Sequence, residues 1–281
     1  MLELASPAPL PAGRLRLLEP DGSSASALLK RLTNGSYDKP FIQDCGPLRY
    51  LHFDLENVQS VMRHDDPDAL CLAYTRKMMA FLLFKPKPRR ILLLGLGGGS
   101  LAKFCYRHLP TTAITVLEID PHVLALREEF QIPPDDERFR VVQGDGVAYI
   151  APGAPVKSNE GLGEDVILVD ACDRNGVSPT LSSPDLYANL RRRLSARGLL
   201  VMNVCGEEVD VENHLARIRG VFGDRIISLP MREDGNLIVL GFRGVPRTWD
   251  GAELDRHARK LQDQFGLAFP RYARQMVRGV A

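Results

Sequence analysis

Gly95-Leu96-Gly97-Gly98-Gly99 follows the apolar run Ile91 to Leu94, and Glu118 closes the next apolar run, Ala113 to Leu117. Glycines let a backbone turn with positive φ, and their missing side chains let a ligand approach the chain closely. A carboxylate some twenty residues further on can accept from both hydroxyls of a ribose. Gly95, Gly97 and Gly99 read GxGxG, whereas the dinucleotide fingerprint is GxGxxG, with its last place here at Ser100. A tight strand-to-helix turn alone would explain the glycines, and a solvated strand end alone would explain Glu118. Placed together in one strand–turn–helix–strand unit, they point to a nucleoside site.

Two more carboxylates fall at equivalent places. Asp145 lies between Gly144 and Gly146, after the strand-like run Phe139 to Gln143. Asp170 follows Val166 to Val169 and leads into Ala171-Cys172-Asp173. Any one of these acids could be a helix cap. Four consecutive apolar runs that each end in polar chemistry argue for a shared site. Strand and helix patterns alternate from about residue 90 to 245, which predicts a doubly wound, mostly parallel α/β sheet with helices on both faces. In such sheets ligands bind beyond the carboxyl ends of the strands, where these residues lie.

The elements that position them read as follows. Residues 13–64 form a small antiparallel β-hairpin subdomain, with a hairpin over Lys39 to Phe53 that turns at Gly46-Pro47, and a further strand at Asn57 to Met62. Residues 65–281 form the nucleoside-binding domain. Asp65-Asp66-Pro67-Asp68 signals the start of a helix that runs to about Phe84. Helices follow at Ser100 to His108, Pro121 to Phe130, Val147 to Ile150, Ser183 to Ser195 and Val211 to Phe222. A closing helix spans Trp249 to Phe265, with a tail beyond. The proline-bearing start, up to Leu15, reads as a loose arm, and residues 151–164 as a surface loop.

Composition sets outer bounds. The 281 residues carry a net charge of +1, so no whole-chain field draws the protein to nucleic acid or membrane. No apolar run reaches the ~20 residues of a bilayer span, and the first residues lack the pattern of a secretory signal. The five cysteines (45, 71, 105, 172 and 205) are scattered and make no CxxC pair. They read as thiols in a reducing cytoplasm, without zinc or disulfides.

From Val58 to Cys205 the chain resembles the spermidine synthase family of polyamine aminopropyltransferases. The resemblance rests on Val58-Gln59-Ser60, Tyr74 early in a helix, the glycine loop, Glu118-Ile119-Asp120, Gly144-Asp145-Gly146, Asp170-Ala171-Cys172-Asp173 and Leu186-Tyr187. It implies a sheet of the class I S-adenosylmethionine-dependent methyltransferase type. It also implies decarboxylated S-adenosylmethionine as co-substrate and a small-molecule amine acceptor. Attack of an amine on a carbon next to a sulfonium needs no metal, and the N-terminal hairpins, small for a stable unit alone, predict packing on the neighbouring domain or on a second subunit of a homodimer. By position, Gly95, Gly97 and Gly99 would form the ligand loop and Glu118 would hold the ribose. Ile119 would lie on the adenine face, Asp145 with Gly146 would bind the adenine edge, and Gln59 would lie near the ribose or sulfur. Asp170 would be the base, Asp173 would help hold the amine, and Tyr74 would line the amine pocket.

The chain also departs from that pattern. The family loop reads GGGDGG, and Gly98 stands where it has aspartate. Arg76 stands where the family has an acid two residues after the helix tyrosine, and Arg174 stands where it has proline. If these arginines faced the pocket, a polycation would bind less well and a carboxylate-bearing ligand, including intact S-adenosylmethionine, would bind better. Three functional classes stay open: aminopropyl transfer, transfer from intact S-adenosylmethionine as in a methyltransferase, and a nucleoside-binding homologue without turnover. The glycine spacing speaks against a nicotinamide dehydrogenase.

Overall fold

In the computed structural model, residues 1–20, 22–153, 163–173, 176–177, 183–231 and 236–278 are described. The main sheet has seven strands: β6 (Arg90–Leu94), β7 (Ala113–Glu118), β8 (Phe139–Gln143), β9 (Glu164–Val169), β12 (Leu194–Val204), β13 (Ile226–Pro230) and β14 (Leu237–Phe242). Their spatial order is β13-β14-β12-β9-β6-β7-β8. β8, β7, β6, β9 and β12 pair in parallel, and β14 runs antiparallel to both its neighbours. This is the expected mostly parallel arrangement, with β9 and β6 side by side at its centre.

Strand alternation builds two cores. Ile91 and Leu93 of β6 join one cluster, and Leu92 and Leu94 join the other. Val166 with Leu168, and Ile167 with Val169, repeat that division on β9. A strand covered on both faces must be apolar at every position, and the run of leucines and isoleucine at 91–94 meets that need. One face is covered by α2 (Ala73–Met78), α3 (Ser100–His108), α4 (Pro121–Ala125), α8 (Gly251–Phe265) and α9 (Phe269–Arg278). The other is covered by α5 (Gly146–Ile150), α6 (Pro184–Arg193) and α7 (Glu208–Phe222).

The N-terminal sheet is antiparallel and has five strands in sequence order: β1 (Leu2–Ala5), β2 (Arg14–Leu17), β3 (Phe41–Cys45), β4 (Leu48–His52) and β5 (Val58–Arg63). The expected loose arm is therefore corrected: Leu2 to Ala5 pairs with Arg14 to Leu17. Helix α1 (Ala25–Thr33), capped by Ser24, closes a small core with Leu28 and Leu32 against Leu15, Leu17 and Phe41. Ile42, Leu51 and Met62 instead belong to the main core, so this sheet packs on the larger one. Glu129 bridges the two. Its carboxylate pairs with both nitrogens of the Arg16 fork and, at 2.9 Å, with Arg49, which also holds Asp44 through two hydrogen bonds of 2.7 and 2.9 Å. Burial would raise the Asp44 pKa, but the Arg49 hydrogen bonds and charge bring it below its ordinary value.

Three further boundaries differ from expectation. Asp65 to Asp68 does not open a helix. Ala69 N donates to Asp66 O at 3.2 Å, so Pro67 sits inside a turn, and α2 begins only at Ala73. The same Asp-Pro chemistry serves turns and first helical turns alike. The helix ends as 3₁₀ from Met79 to Leu83. Regular helix after Pro121 stops at Ala125, and turns carry the chain to Phe130. The tail after Phe265 is α9, which packs on α8.

Cys205 is disulfide-bonded, and Cys45, Cys71 and Cys105 are free thiols. This corrects the reading of five free cysteines and removes the argument from them to a reducing compartment. Most of the 151–164 loop lies outside the described residues. No helix among the described residues is long and apolar enough to cross a membrane.

Candidate functional site

The carboxyl ends of β6, β7, β8, β9 and β12 open into a cleft of about 1200 Å³, walled on its far side by β5 and the start of α2. Its rim is built by backbone bonds that tie successive strand ends together. Gly95 N donates to Leu117 O, Gly144 N to Glu118 O and Asp170 N to Leu94 O, each at 2.9 Å. The polar residue after each strand is thereby held level with its neighbours.

The glycine loop is forced to be glycine by two different constraints. Gly95 has φ +99°, and a Cβ there would meet the Asp170 carbonyl oxygen at 2.1 Å. Gly97 and Gly99 also adopt positive φ, +52° and +70°. Gly98 does not; its constraint is space. A Cβ there would lie 2.7 Å from Ser60 Cβ and 2.9 Å from the Phe130 ring, and its N–H donates to Ser60 Oγ at 2.9 Å. Gly98 is absent from the cleft lining, so the place where the family loop carries an aspartate is packed against β5 here.

Glu118 is buried, and both its carboxylate oxygens are oriented by backbone amides: Oε2 accepts from Leu96 N at 3.0 Å and Oε1 from Asp120 N at 2.9 Å. A carboxylate oxygen held this way keeps a further lone pair for a ligand hydroxyl. Ile119 beside it is 63% exposed, an apolar side chain bared at the cleft. Asp145 caps α5 through Oδ1, which accepts from Val147 N at 2.8 Å. Gln59 and Gly146 also line the cleft.

Asp170 sits at the centre. Asn203 Nδ2 donates to its Oδ1 at 3.0 Å, and the Tyr74 hydroxyl donates to its Oδ2 at 3.2 Å. Part of the residue opens to the cleft, while its carboxyl group is packed round by protein. Burial raises its pKa above the ordinary aspartate value, and the hydrogen bonds from Asn203 and Tyr74 oppose that rise. A raised but hydrogen-bonded carboxylate is a better proton acceptor than a free one and remains oriented.

The fold thus brings together Gln59, Tyr74, Gly95, Gly97, Glu118, Ile119, Asp145, Gly146 and Asp170 in one cleft. Gly99 is the helix N-cap of α3 and stays behind the lining. Only the backbone of Asp173 is described, in β10 (Cys172–Asp173), which pairs with β11 (Gly176–Val177); the role expected of its side chain, and Arg174, lie outside the described residues. Arg76 turns away from the cleft: its Nη1 donates to Leu70 O at 2.8 Å and Cys71 O at 2.5 Å. Asn203, Asn236, Asp38, Glu207 and Asp210 also line the site and have no counterpart in the sequence analysis, whereas Ser60, which supports the glycine loop, belongs to the Val58-Gln59-Ser60 match. Asn203 did carry a signal, since an amide interrupts the otherwise apolar run Leu199 to Val204.

The charge of the wall is one-sided. Asp38, Glu118, Asp120, Asp145, Asp170, Glu207 and Asp210 line it, and among the described residues no Lys, Arg or His does. Such a wall favours a cationic ligand and disfavours a free carboxylate.

Comparisons with known proteins agree with this geometry. The spermine/spermidine synthase domain matches residues 71–226. The chain is 36% identical to the polyamine aminopropyltransferase of Chromobacterium violaceum over 236 residues, covering 84% of this chain and 88% of that one. Its fold is similar to a probable spermidine synthase from Corynebacterium glutamicum, with TM-score 0.65 and 21% identity over 83% of this chain and 90% of that chain. It is also similar to human methyltransferase-like protein 13 in complex with SAH, with TM-score 0.61 and 23% identity over 70% of this chain and 93% of that chain. With the family domain spanning more than half of its length and a 36% identical relative covering most of it, the chain belongs to the spermine/spermidine synthase family.

Proposed function

We propose that this chain is a polyamine aminopropyltransferase that moves an aminopropyl group from decarboxylated S-adenosylmethionine to a small amine and releases methylthioadenosine. The observation that carries this reading is the acidic cleft around Asp170. Both substrates are cations, a sulfonium with a free ammonium and an alkylammonium, and the cleft presents seven carboxylates to them. The names of the relatives support the same activity.

In this reading Glu118, held by the amides of Leu96 and Asp120, takes the ribose hydroxyls. Ile119 covers the adenine face, and Asp145 with Gly146 meets its edge. Gln59 lies toward the ribose and sulfur, and Gly95 and Gly97 let the nucleoside approach the backbone. An alkylammonium has a pKa near ~10, like lysine, so it must lose a proton before its nitrogen can attack. Asp170 accepts that proton, with Tyr74 and Asn203 fixing its two oxygens. The nitrogen lone pair then forms a bond to the carbon next to sulfur. The carbon–sulfur bond breaks, and its electrons leave with the neutral thioether. Asp173 helps hold the acceptor. The chemistry asks for orientation and one base, which two neutral donors on one carboxylate can supply.

The test is turnover with decarboxylated S-adenosylmethionine and a linear diamine, read as methylthioadenosine by chromatography. Asp170→Asn should lower turnover at least ~100-fold, the scale of a general base, and should spare nucleoside binding. The glycine at 98, where the family loop has a carboxylate, favours a second reading, methyl transfer from intact S-adenosylmethionine. It would appear in the same assay as adenosylhomocysteine from the intact donor. A cytoplasmic homodimer completes the proposal, and light scattering of the purified chain checks the dimer.

A further inference from the structure

Arg76 faces a second cavity, of about 310 Å³, on the opposite side of α2 from Tyr74 and the acidic cleft. Lys77, Arg271, Tyr272 and Gln275 line it with Arg76, so α2 and α9 supply three cationic side chains to one small hollow. Arg76 uses only Nη1 on protein carbonyls; its Nε and Nη2 make no hydrogen bond to the described residues. Neither Arg76 nor Arg271 pairs with a carboxylate among the described residues. Lys77 is buried, with Nζ donating to Pro230 O at 2.7 Å. Burial raises the pKa of the Tyr272 hydroxyl, and the neighbouring charges of Arg76 and Arg271 oppose that rise. Gln275 adds a buried Oε1 that accepts no hydrogen bond from the described residues.

We propose that this cavity binds a phosphate-class oxyanion, either hydrogen phosphate or the phosphate group of a small metabolite. Guanidinium groups match phosphate oxygens in geometry and charge. Cationic side chains on a concave wall whose described lining holds no acid concentrate an anion there. Hydrogen phosphate also carries a hydroxyl, which the buried Gln275 oxygen can accept, whereas sulfate has none at neutral pH. The site uses no residue of the acidic cleft, so the two proposals stand or fall separately.

Calorimetric titration of the full chain with inorganic phosphate, at ionic strength held constant with sodium chloride, tests it. Saturable binding is expected, at least tenfold weaker in Arg76→Gln and in Arg271→Gln, and at least fivefold weaker for sulfate. Arg76 braces the turn at Leu70 and Cys71, so Arg271→Gln is the variant that leaves the fold intact. Asp145→Asn, in the acidic cleft, should bind phosphate unchanged. Glycerol phosphate, titrated in parallel, identifies the source: tighter binding than inorganic phosphate assigns the site to an ester, and weaker binding assigns it to the free ion. Absence of saturable binding, equal affinity in Arg271→Gln, or loss of binding in Asp145→Asn would overturn the proposal.

Discussion

At the scale of single residues, the account turns on how Asp170 is held. Burial pushes its pKa upward, and the Asn203 and Tyr74 hydrogen bonds work against that push. The reaction needs the ionised carboxylate, so activity falls as pH drops through this raised pKa. Asn203→Leu removes one donor and leaves desolvation in place. The pKa then climbs further, and the acid limb of the kcat/KM profile moves to higher pH. An acid limb that stays where it is would show that Asn203 only fills space. Asp170, Glu118 and Asp145 were legible in the sequence because each is a polar residue at the end of an apolar run. Asn203 is not legible there, because its partner lies at the end of a neighbouring strand 33 positions away, and register alone brings them together. Arg76 was legible as a departure, but the direction of its side chain is set by the carbonyls at 70 and 71, which no spacing rule reveals.

At the scale of elements, the glycine turn shows what a motif can and cannot say. The strand, turn, helix, strand and acid at 90–120 stand where the sequence puts them. What the sequence left open is why Gly98 is glycine. The answer lies in β5, whose Ser60 fills the space of a side chain and accepts the Gly98 amide. Gly98→Asp writes the family loop into this chain, and it should destabilise the fold by about 2 kcal/mol through overpacking against Ser60 and Phe130. Thermal unfolding measures this, and an unchanged Tm would mean the loop yields freely. β1, α1 and α9 are not legible in the sequence for a related reason. β1 is four residues beside a proline-rich stretch and is ordered by pairing with β2. α1 is nine residues, with only Leu28 and Leu32 buried. Short elements of this kind depend on tertiary packing, which local pattern does not report.

At the scale of the whole molecule, two charge distributions differ in kind. Inside the core, Lys103 on α3 is 1% exposed, with Nζ donating to Phe130 O at 2.7 Å. Burial lowers its pKa to about 8, with Asp68 and Cys71 opposing. A lysine with a lowered folded pKa destabilises the fold wherever the unfolded chain is protonated. That cost is full below about pH 8 and disappears as pH rises toward the unfolded value of 10.5. Lys103→Met should therefore stabilise the protein at pH 7, by up to about 3 kcal/mol, and the gap to the parent should narrow by pH 10. Denaturant unfolding at the two pH values checks the sign, and a constant gap would contradict it.

The cleft is the other distribution: the strand ends of the main sheet, the start of α7 and Asp38 in the loop before β3 supply carboxylates to one cavity, with no basic side chain among its described lining. Calorimetric titration with decarboxylated and intact S-adenosylmethionine tests that claim most directly, because the two donors differ only by one carboxylate. The account predicts that the decarboxylated donor binds at least tenfold more tightly, about 1.4 kcal/mol, and that raising salt narrows the difference. Equal affinities, or a preference for the intact donor, would contradict it.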